Sequence, residues 1–258
     1  MPASGHIETA TQEYKGGRVA TVTIDYQERL NVLNTAIAQD LTETFDRLGG
    51  DAELRAVVLT GAGDRAFVGG ADVNELIDLD ARSAEVFITG MHRCYTAVRD
   101  CPVPVIARIN GHCLGGGLAL AAACSLRAAS EGAKLGFPEA RVGIPPVIET
   151  ALLPGMVGWG RAHEMLLTGD TIDAATAAQW GLVERVVPAD QLDGAVEGWV
   201  ESILACGPRA IRAQKALMRK WDSLPLTAAI AAGIPVFAEA FGTDEPRSYL
   251  NSFRERKR

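Results

Sequence analysis

Asn110-Gly111-His112-Cys113-Leu114-Gly115-Gly116-Gly117-Leu118-Ala119-Leu120-Ala121-Ala122-Ala123-Cys124 is the stretch on which the fold turns. It follows Val103 to Ile109, an apolar run that suits a strand buried on both faces, and it opens a helix predicted over 116–124. Consecutive glycines at the head of an Ala/Leu helix leave backbone N–H groups uncovered at its positive end, where an oxyanion can approach closely. Close packing of helix on sheet also asks for glycine, but three in a row exceed what packing usually needs.

A second glycine turn follows a second buried strand, predicted over Arg55 to Thr60. It reads Leu59-Thr60-Gly61-Ala62-Gly63-Asp64-Arg65-Ala66-Phe67-Val68-Gly69-Gly70-Ala71-Asp72-Val73. Gly61-x-Gly63-x-x-Ala66 imitates a dinucleotide fingerprint. That motif needs a helix immediately after it and an acid at the end of a strand about 20 residues on. Here the helix signal waits until Asp72, and Asp78 and Asp80 fall in a helical stretch, so the nucleotide reading is set aside. Asp72 and Glu75 have the spacing of a helix capping pair.

Around these turns the chain alternates. His6 to Tyr14 and Arg18 to Asp25 read as a hairpin through Gly16-Gly17, and Asn34 to Leu48 as a helix with Ile37, Leu41, Phe45 and Leu48 on one face. A helix over Ala81 to Arg99 is stopped by Pro102 and Pro104. Short strands are expected near 126–129 and 133–137, a helix over Asp173 to Trp180, and a last strand over Gly181 to Val187; from Ala189 onward the pattern is helical. The fold class is α/β: a core over residues 1–190 and a helical C-terminal region over 191–258, both in one structural unit.

Composition narrows the function classes. The 258 residues carry a net charge of −7, which argues against a general nucleic-acid binder; the basic end Arg254-Glu255-Arg256-Lys257-Arg258 reads as a solvated tail. Five cysteines without CxxC spacing favour reduced, buried thiols, and four scattered histidines give no metal-ligand spacing. Met1 to Gly17 contains no apolar leader core, and no apolar run approaches the ~20 residues of a membrane span, so the expected location is cytoplasmic, with no membrane partner. Serine-hydrolase elbow and P-loop motifs are missing from the sequence.

Taken together, these blocks resemble the crotonase superfamily of enoyl-CoA hydratases and isomerases. The resemblance runs from Arg29-Leu30-Asn31-Val32-Leu33-Asn34 through the two glycine turns. It continues in Leu135-Gly136-Phe137-Pro138-Glu139, Leu166-Leu167-Thr168-Gly169-Asp170 and Gly181-Leu182-Val183. It implies a spiral core of repeated ββα units, a C-terminal helical trimerisation region, and assembly as a homotrimer or a pair of trimers. The implied substrate is an acyl-CoA thioester. No separate cofactor is implied, since coenzyme A enters as part of the substrate, and no metal is.

By the same resemblance, the N–H groups of Ala71 and Gly116 form an oxyanion hole. Arg29, Leu30, Ala66, Gly69, Asp72 and Val73 line the coenzyme A site, with contacts from the C-terminal helices near Phe241, Phe253 and Arg256. Of the two glutamates that a hydratase of this family uses, one matches Glu139; the other position is Ala119, which cannot carry a proton. Glu149 is the candidate replacement, and a first-turn acid behind Pro146 that stabilises a helix dipole is its alternative. On a helix Glu149 would be rotated by about 200° from Val147, where the dienoyl isomerases place an acid. His112 reads as a packed or hydrogen-bonded structural residue. The open functions are enoyl-CoA hydratase or isomerase, another enolate reaction such as decarboxylation or thioester hydrolysis, and a non-catalytic CoA-binding protein.

Overall fold

The structure, a computed structural model, describes residues 5–256; the Arg256 side chain and Lys257-Arg258 of the basic tail lie outside the described residues. The elements, in chain order, are β1 (His6–Tyr14), β2 (Gly17–Asp25), α1 (Thr35–Gly49), β3 (Leu54–Gly61), β4 (Ala66–Val68), α2 (Val73–Leu76), α3 (Ala81–Asp100) and β5 (Val105–Ile109). Then come β6 (His112–Leu114), α4 (Gly116–Ala123), β7 (Leu126–Ser130), β8 (Lys134–Gly136), α5 (Leu153–Val157), α6 (Trp159–Thr168), β9 (Thr171–Asp173) and α7 (Ala174–Trp180). β10 (Arg185–Val187), α8 (Leu192–Leu204), α9 (Pro208–Trp221), α10 (Leu226–Ala240) and α11 (Glu245–Arg256) complete the chain.

Two sheets share these strands. The larger has the order β1-β2-β3-β5-β7-β10 and is parallel except for the β1–β2 hairpin, whose register closes at Tyr14 opposite Gly17. The smaller has the order β4-β6-β8-β9. Strands come in consecutive pairs, β3/β4, β5/β6 and β7/β8, and each pair gives its first member to the large sheet and its second to the small one. That alternation is the ββα spiral expected from the sequence. It carries the chain out of the large sheet at Gly61, Ile109 and Ser130, and the functional turns follow these exits.

Side-chain alternation assigns the faces of the large sheet. Val22, Ile24, Val57, Leu59, Val105 and Ala107 point into the main core with α1, α3 and α4. Val19, Ala56, Val58, Ile106 and Ala128 point the other way, where Leu192, Val196 and Val200 of α8 cover them. β3 is buried along its whole length, as the apolar run predicts. Arg55, on this strand, is buried yet satisfied by the carbonyls of Gly16, Ile203 and Cys206.

Several expectations are corrected. The strand expected over 181–187 is only Arg185–Val187, because Gly181 takes φ +81° and ends α7, with its N–H bonded to Ala177 and Ala178. β4, β6 and β9 were not anticipated: three-residue strands are too short to show a period. Asp72 caps α2 by accepting from Asn74 N–H at 2.9 Å, but Glu75 does not close the capping box. Its carboxylate turns to Thr35, accepting from the backbone N–H at 2.8 Å and from the hydroxyl. All five cysteines are free and four are buried, whereas Cys206 is exposed. Among the described residues no single helix is long and apolar enough to cross a membrane; α10 and α11 reach that length only as a pair bent by 80°.

Candidate active site

The two glycine turns converge. Leu33 forms an isolated parallel bridge with Ala71, in which Leu33 N–H donates to Gly70 O and Asp72 N–H to Leu33 O, both at 2.8 Å. In a parallel bridge these bonds use the groups that flank Ala71, so the N–H of Ala71 itself faces the opposite side. That side is α4. A β-carbon built on Gly116 would stand 3.9 Å from the Ala71 nitrogen and 2.7 Å from the Tyr95 hydroxyl oxygen. Gly116 is the first residue of α4, where a backbone N–H has no intrahelical acceptor. The two amides assigned to the oxyanion hole are therefore neighbours.

The three glycines have separate causes. Gly115 has φ +52°, and a β-carbon there would lie 2.5 Å from Oε1 of Glu139. A β-carbon on Gly116 would crowd the Tyr95 hydroxyl, and one on Gly117 would collide with the backbone oxygen of Val68 on β4. Packing explains the third glycine; proximity to polar groups explains the first two.

Glu139 sits in a 3-10 turn, Pro138–Val142, just after β8. β8 pairs with β6, and this pairing sets the carboxylate against Gly115. Its Oε2 is buried with no hydrogen-bond partner among the described groups. Burial raises its pKa above the ordinary carboxylate value, opposed by its own backbone hydrogen bond. Glu139 is thus a half-buried acid rather than an exposed one.

Glu149 lies on a second 3-10 turn, Ile148–Leu152, and is buried. Val147 before it is extended, and Ile148 adopts φ +56°, so the helical rotation expected from Val147 does not apply. A β-branched residue in the left-handed region is strained by about 1–3 kcal/mol and calls for support from its surroundings. Here the turn sends the carboxylate inward. Oε1 lies 2.8 Å from Nδ1 of His92 on α3, and Oε2 is buried without a partner among the described groups.

Tyr95 lies within electrostatic reach of both carboxylates. It is fully buried at 2% exposure, and its hydroxyl has a long contact with the Met91 sulfur at 4.0 Å. Burial first, with the nearby charges of Cys94, Glu149 and Glu139 behind it, holds the phenol well above its ordinary pKa, so it is neutral. Neither Tyr95 nor His92 was among the sequence candidates: on α3 Tyr95 falls on the apolar face, and apolar spacing reads it as core. Ala119, one turn into α4, is buried.

The residues assigned to coenzyme A gather at the outer turn. Arg29 and Asp72 form an ion pair at 2.9 Å, and Gly69 N–H donates to Leu30 O at 2.8 Å. Leu30 and Asn31 both have positive φ; the Asn31 amide donates to Ala62 O and Ala66 O and fixes the turn. Val73 is exposed, whereas the Ala66 side chain is buried and only its backbone faces this turn. Phe241 and Phe253 are exposed on the C-terminal helices. His112 is half-buried, and its Nδ1 is buried without a partner among the described groups. On the hairpin, strand pairing sets His6 opposite Asp25 and, with Glu8, brings three ligand-type atoms within 4.8 Å, a grouping that sequence spacing hides.

Comparison with known proteins agrees with this geometry. The family model described as enoyl-CoA hydratase/isomerase matches residues 14–258. The chain is 31% identical over 245 residues to a short-chain-enoyl-CoA hydratase of Clostridium acetobutylicum, covering 95% of this chain and 94% of that protein. It is 32% identical over 240 residues to an (E)-benzylidenesuccinyl-CoA hydratase of Thauera aromatica, covering 93% of each. The crystal structure of an enoyl-CoA hydratase from Bacillus anthracis superimposes with a TM-score of 0.91 at 31% identity, over 96% of both chains.

Proposed function

Because the chain belongs to the enoyl-CoA hydratase/isomerase family, we propose that it adds water across the 2,3-double bond of an enoyl-CoA thioester. The observation that carries this reading is the pair of inward-facing carboxylates, Glu139 and Glu149, each with one buried oxygen free of hydrogen bonds. Both lie within electrostatic reach of the Tyr95 phenol, which packs against Gly116, and Glu139 sits against Gly115.

The thioester oxygen accepts from the N–H groups of Ala71 and Gly116. Glu149 takes a proton from water as its oxygen bonds to C3; the π electrons move toward C2 and the thioester oxygen, where the two amides stabilise the enolate. Each such donor is typically worth ~3–4 kcal/mol. Protonated Glu139 then supplies the proton that C2 receives. Burial that keeps Glu139 protonated to higher pH suits the donor. The outer turn around Arg29, Leu30, Gly69, Asp72 and Val73 holds the coenzyme A portion, with Ala66 contributing backbone.

Ala119 favours a second reading, double-bond migration with Glu139 as the single proton carrier between C2 and C4. The experiment is mass-spectrometric product analysis in deuterated water with 2-enoyl-CoA and 3-enoyl-CoA, comparing wild type with Glu139→Gln and Glu149→Gln. Water addition lost in both variants supports hydration. Migration lost only in Glu139→Gln supports isomerisation, and no turnover by wild type overturns both.

Assembly as a homotrimer, or a pair of trimers, belongs to the same reading. Leu226, Ile230, Ile234, Phe237 and Phe241 recur at intervals of three and four residues along α10 and are exposed. An apolar stripe of that kind is what a partner subunit would cover. A cytoplasmic location accords with the free cysteines.

A further inference from the structure

Division of labour between two carboxylates creates a problem of proton traffic. Each hydration leaves Glu149 with a proton and Glu139 without one, so one proton must leave the site and another must enter before the next turnover. Glu139 is only partly buried, which leaves it open to a proton from water. Glu149 has no such access: its side chain is 3% exposed.

His92 spans the gap. Its side chain is 56% exposed, and its Nδ1 lies 2.8 Å from Oε1 of Glu149. The ring lines a cavity of about 360 Å³ whose wall includes Thr42, Thr96 and Asp100. Glu149 thus has one oxygen, Oε2, facing the interior without a partner, and the other bonded to a ring that reaches solvent.

From this arrangement we propose that His92 is the proton outlet of Glu149. It is a positioning and relay residue that never touches the acyl-CoA. This rests on the hydration reading above. Water gives its hydroxyl oxygen to C3 and its proton to Oε2 of Glu149. The carboxyl group turns about its Cγ–Cδ bond so that the protonated oxygen faces Nδ1 of His92 and hands the proton over there. The exposed ring releases its Nε2 proton to bulk water and regains the Nε2–H tautomer by exchange with water. A second proton enters from bulk water through Glu139 and ends on C2. The sum is one water added per double bond with both carboxyl groups reset.

The test uses the full-length enzyme and its best 2-enoyl-CoA substrate, with steady-state kinetics of wild type, His92→Gln and His92→Ala. Glutamine keeps a hydrogen bond to Oε1 but relays no proton, so kcat is expected to fall on the order of 10²-fold with KM little changed. Alanine leaves a hole at a half-exposed position, and free imidazole in the buffer is expected to restore its kcat while leaving the glutamine variant unchanged. A purely structural role would not respond to imidazole. Wild-type kcat in His92→Gln, or a loss in His92→Ala that imidazole fails to restore, overturns the outlet while hydration stands. A wild type that hydrates no enoyl-CoA overturns both.

Discussion

The hydroxyl oxygen of Tyr95 stands 2.7 Å from the point where a β-carbon on Gly116 would sit. The phenol therefore packs against the helical position whose N–H we assign to the oxyanion hole, and the two residues are sterically coupled. Gly116→Ala is expected to lower kcat on the order of 10²-fold, because the displaced amide no longer meets the thioester oxygen well. Tyr95→Phe removes the colliding atom, so the double variant is expected to melt at a higher temperature than Gly116→Ala alone. Thermal denaturation and kinetics on all four proteins of the cycle measure the coupling.

Glu139 gives a pH signature. Its folded-state pKa is raised by burial, so the folded protein holds this proton to higher pH than the unfolded chain does. The stability it contributes is complete below the ordinary carboxylate value and is lost as pH rises through the raised one. Glu139→Gln removes the titration: the variant should melt higher than wild type at neutral pH, and the difference should vanish in acid. Activity should nevertheless fall by ~10²–10⁴-fold. Melting curves from pH 4 to 8 would check the sign; a variant less stable at neutral pH would contradict it.

Asp72 holds two jobs that substitution separates. It caps α2 through the Asn74 N–H and pairs with Arg29. Asp72→Asn keeps a good cap and loses the charge, so stability should stay near wild type while KM for acyl-CoA rises as the turn bearing Arg29 loosens. Asp72→Ala loses both and should cost about 1 kcal/mol in chemical denaturation beyond the asparagine variant.

The apolar stripe of α10 predicts the assembly. Ile234→Lys with Phe237→Asp places opposite charges on two adjacent exposed positions of that stripe. Light scattering should show wild type at three or six times the chain mass and the double variant shifted toward the monomer. A wild type that is already monomeric would remove the interface.

Much of this was legible in the sequence because it is written in local chemistry. The apolar spacing over 34–48 marks α1, the Gly16-Gly17 turn closes the hairpin, and the glycine run opens α4 where expected. Glu149 was legible only as a candidate. Its direction depends on Ile148 at φ +56°, a conformation its side chain disfavours and only tertiary packing can hold. His92 and Tyr95 escaped because neither belongs to a motif; their meaning comes from facing Glu149 and Gly116 across an interface between elements. Of the small sheet only β8 is legible, and β4, β6 and β9 are too short for alternation to rise above chance.

Arg55 has a consequence for how the molecule fails. Its guanidinium joins the hairpin turn at Gly16 to the end of α8 at Ile203 and Cys206, and its acceptors are backbone carbonyls. Carbonyl oxygens gain no proton in acidic solution, so this rivet keeps its grip where ion pairs that depend on a carboxylate charge let go. Acid should therefore leave α8 clamped to the sheet until the sheet itself dissolves.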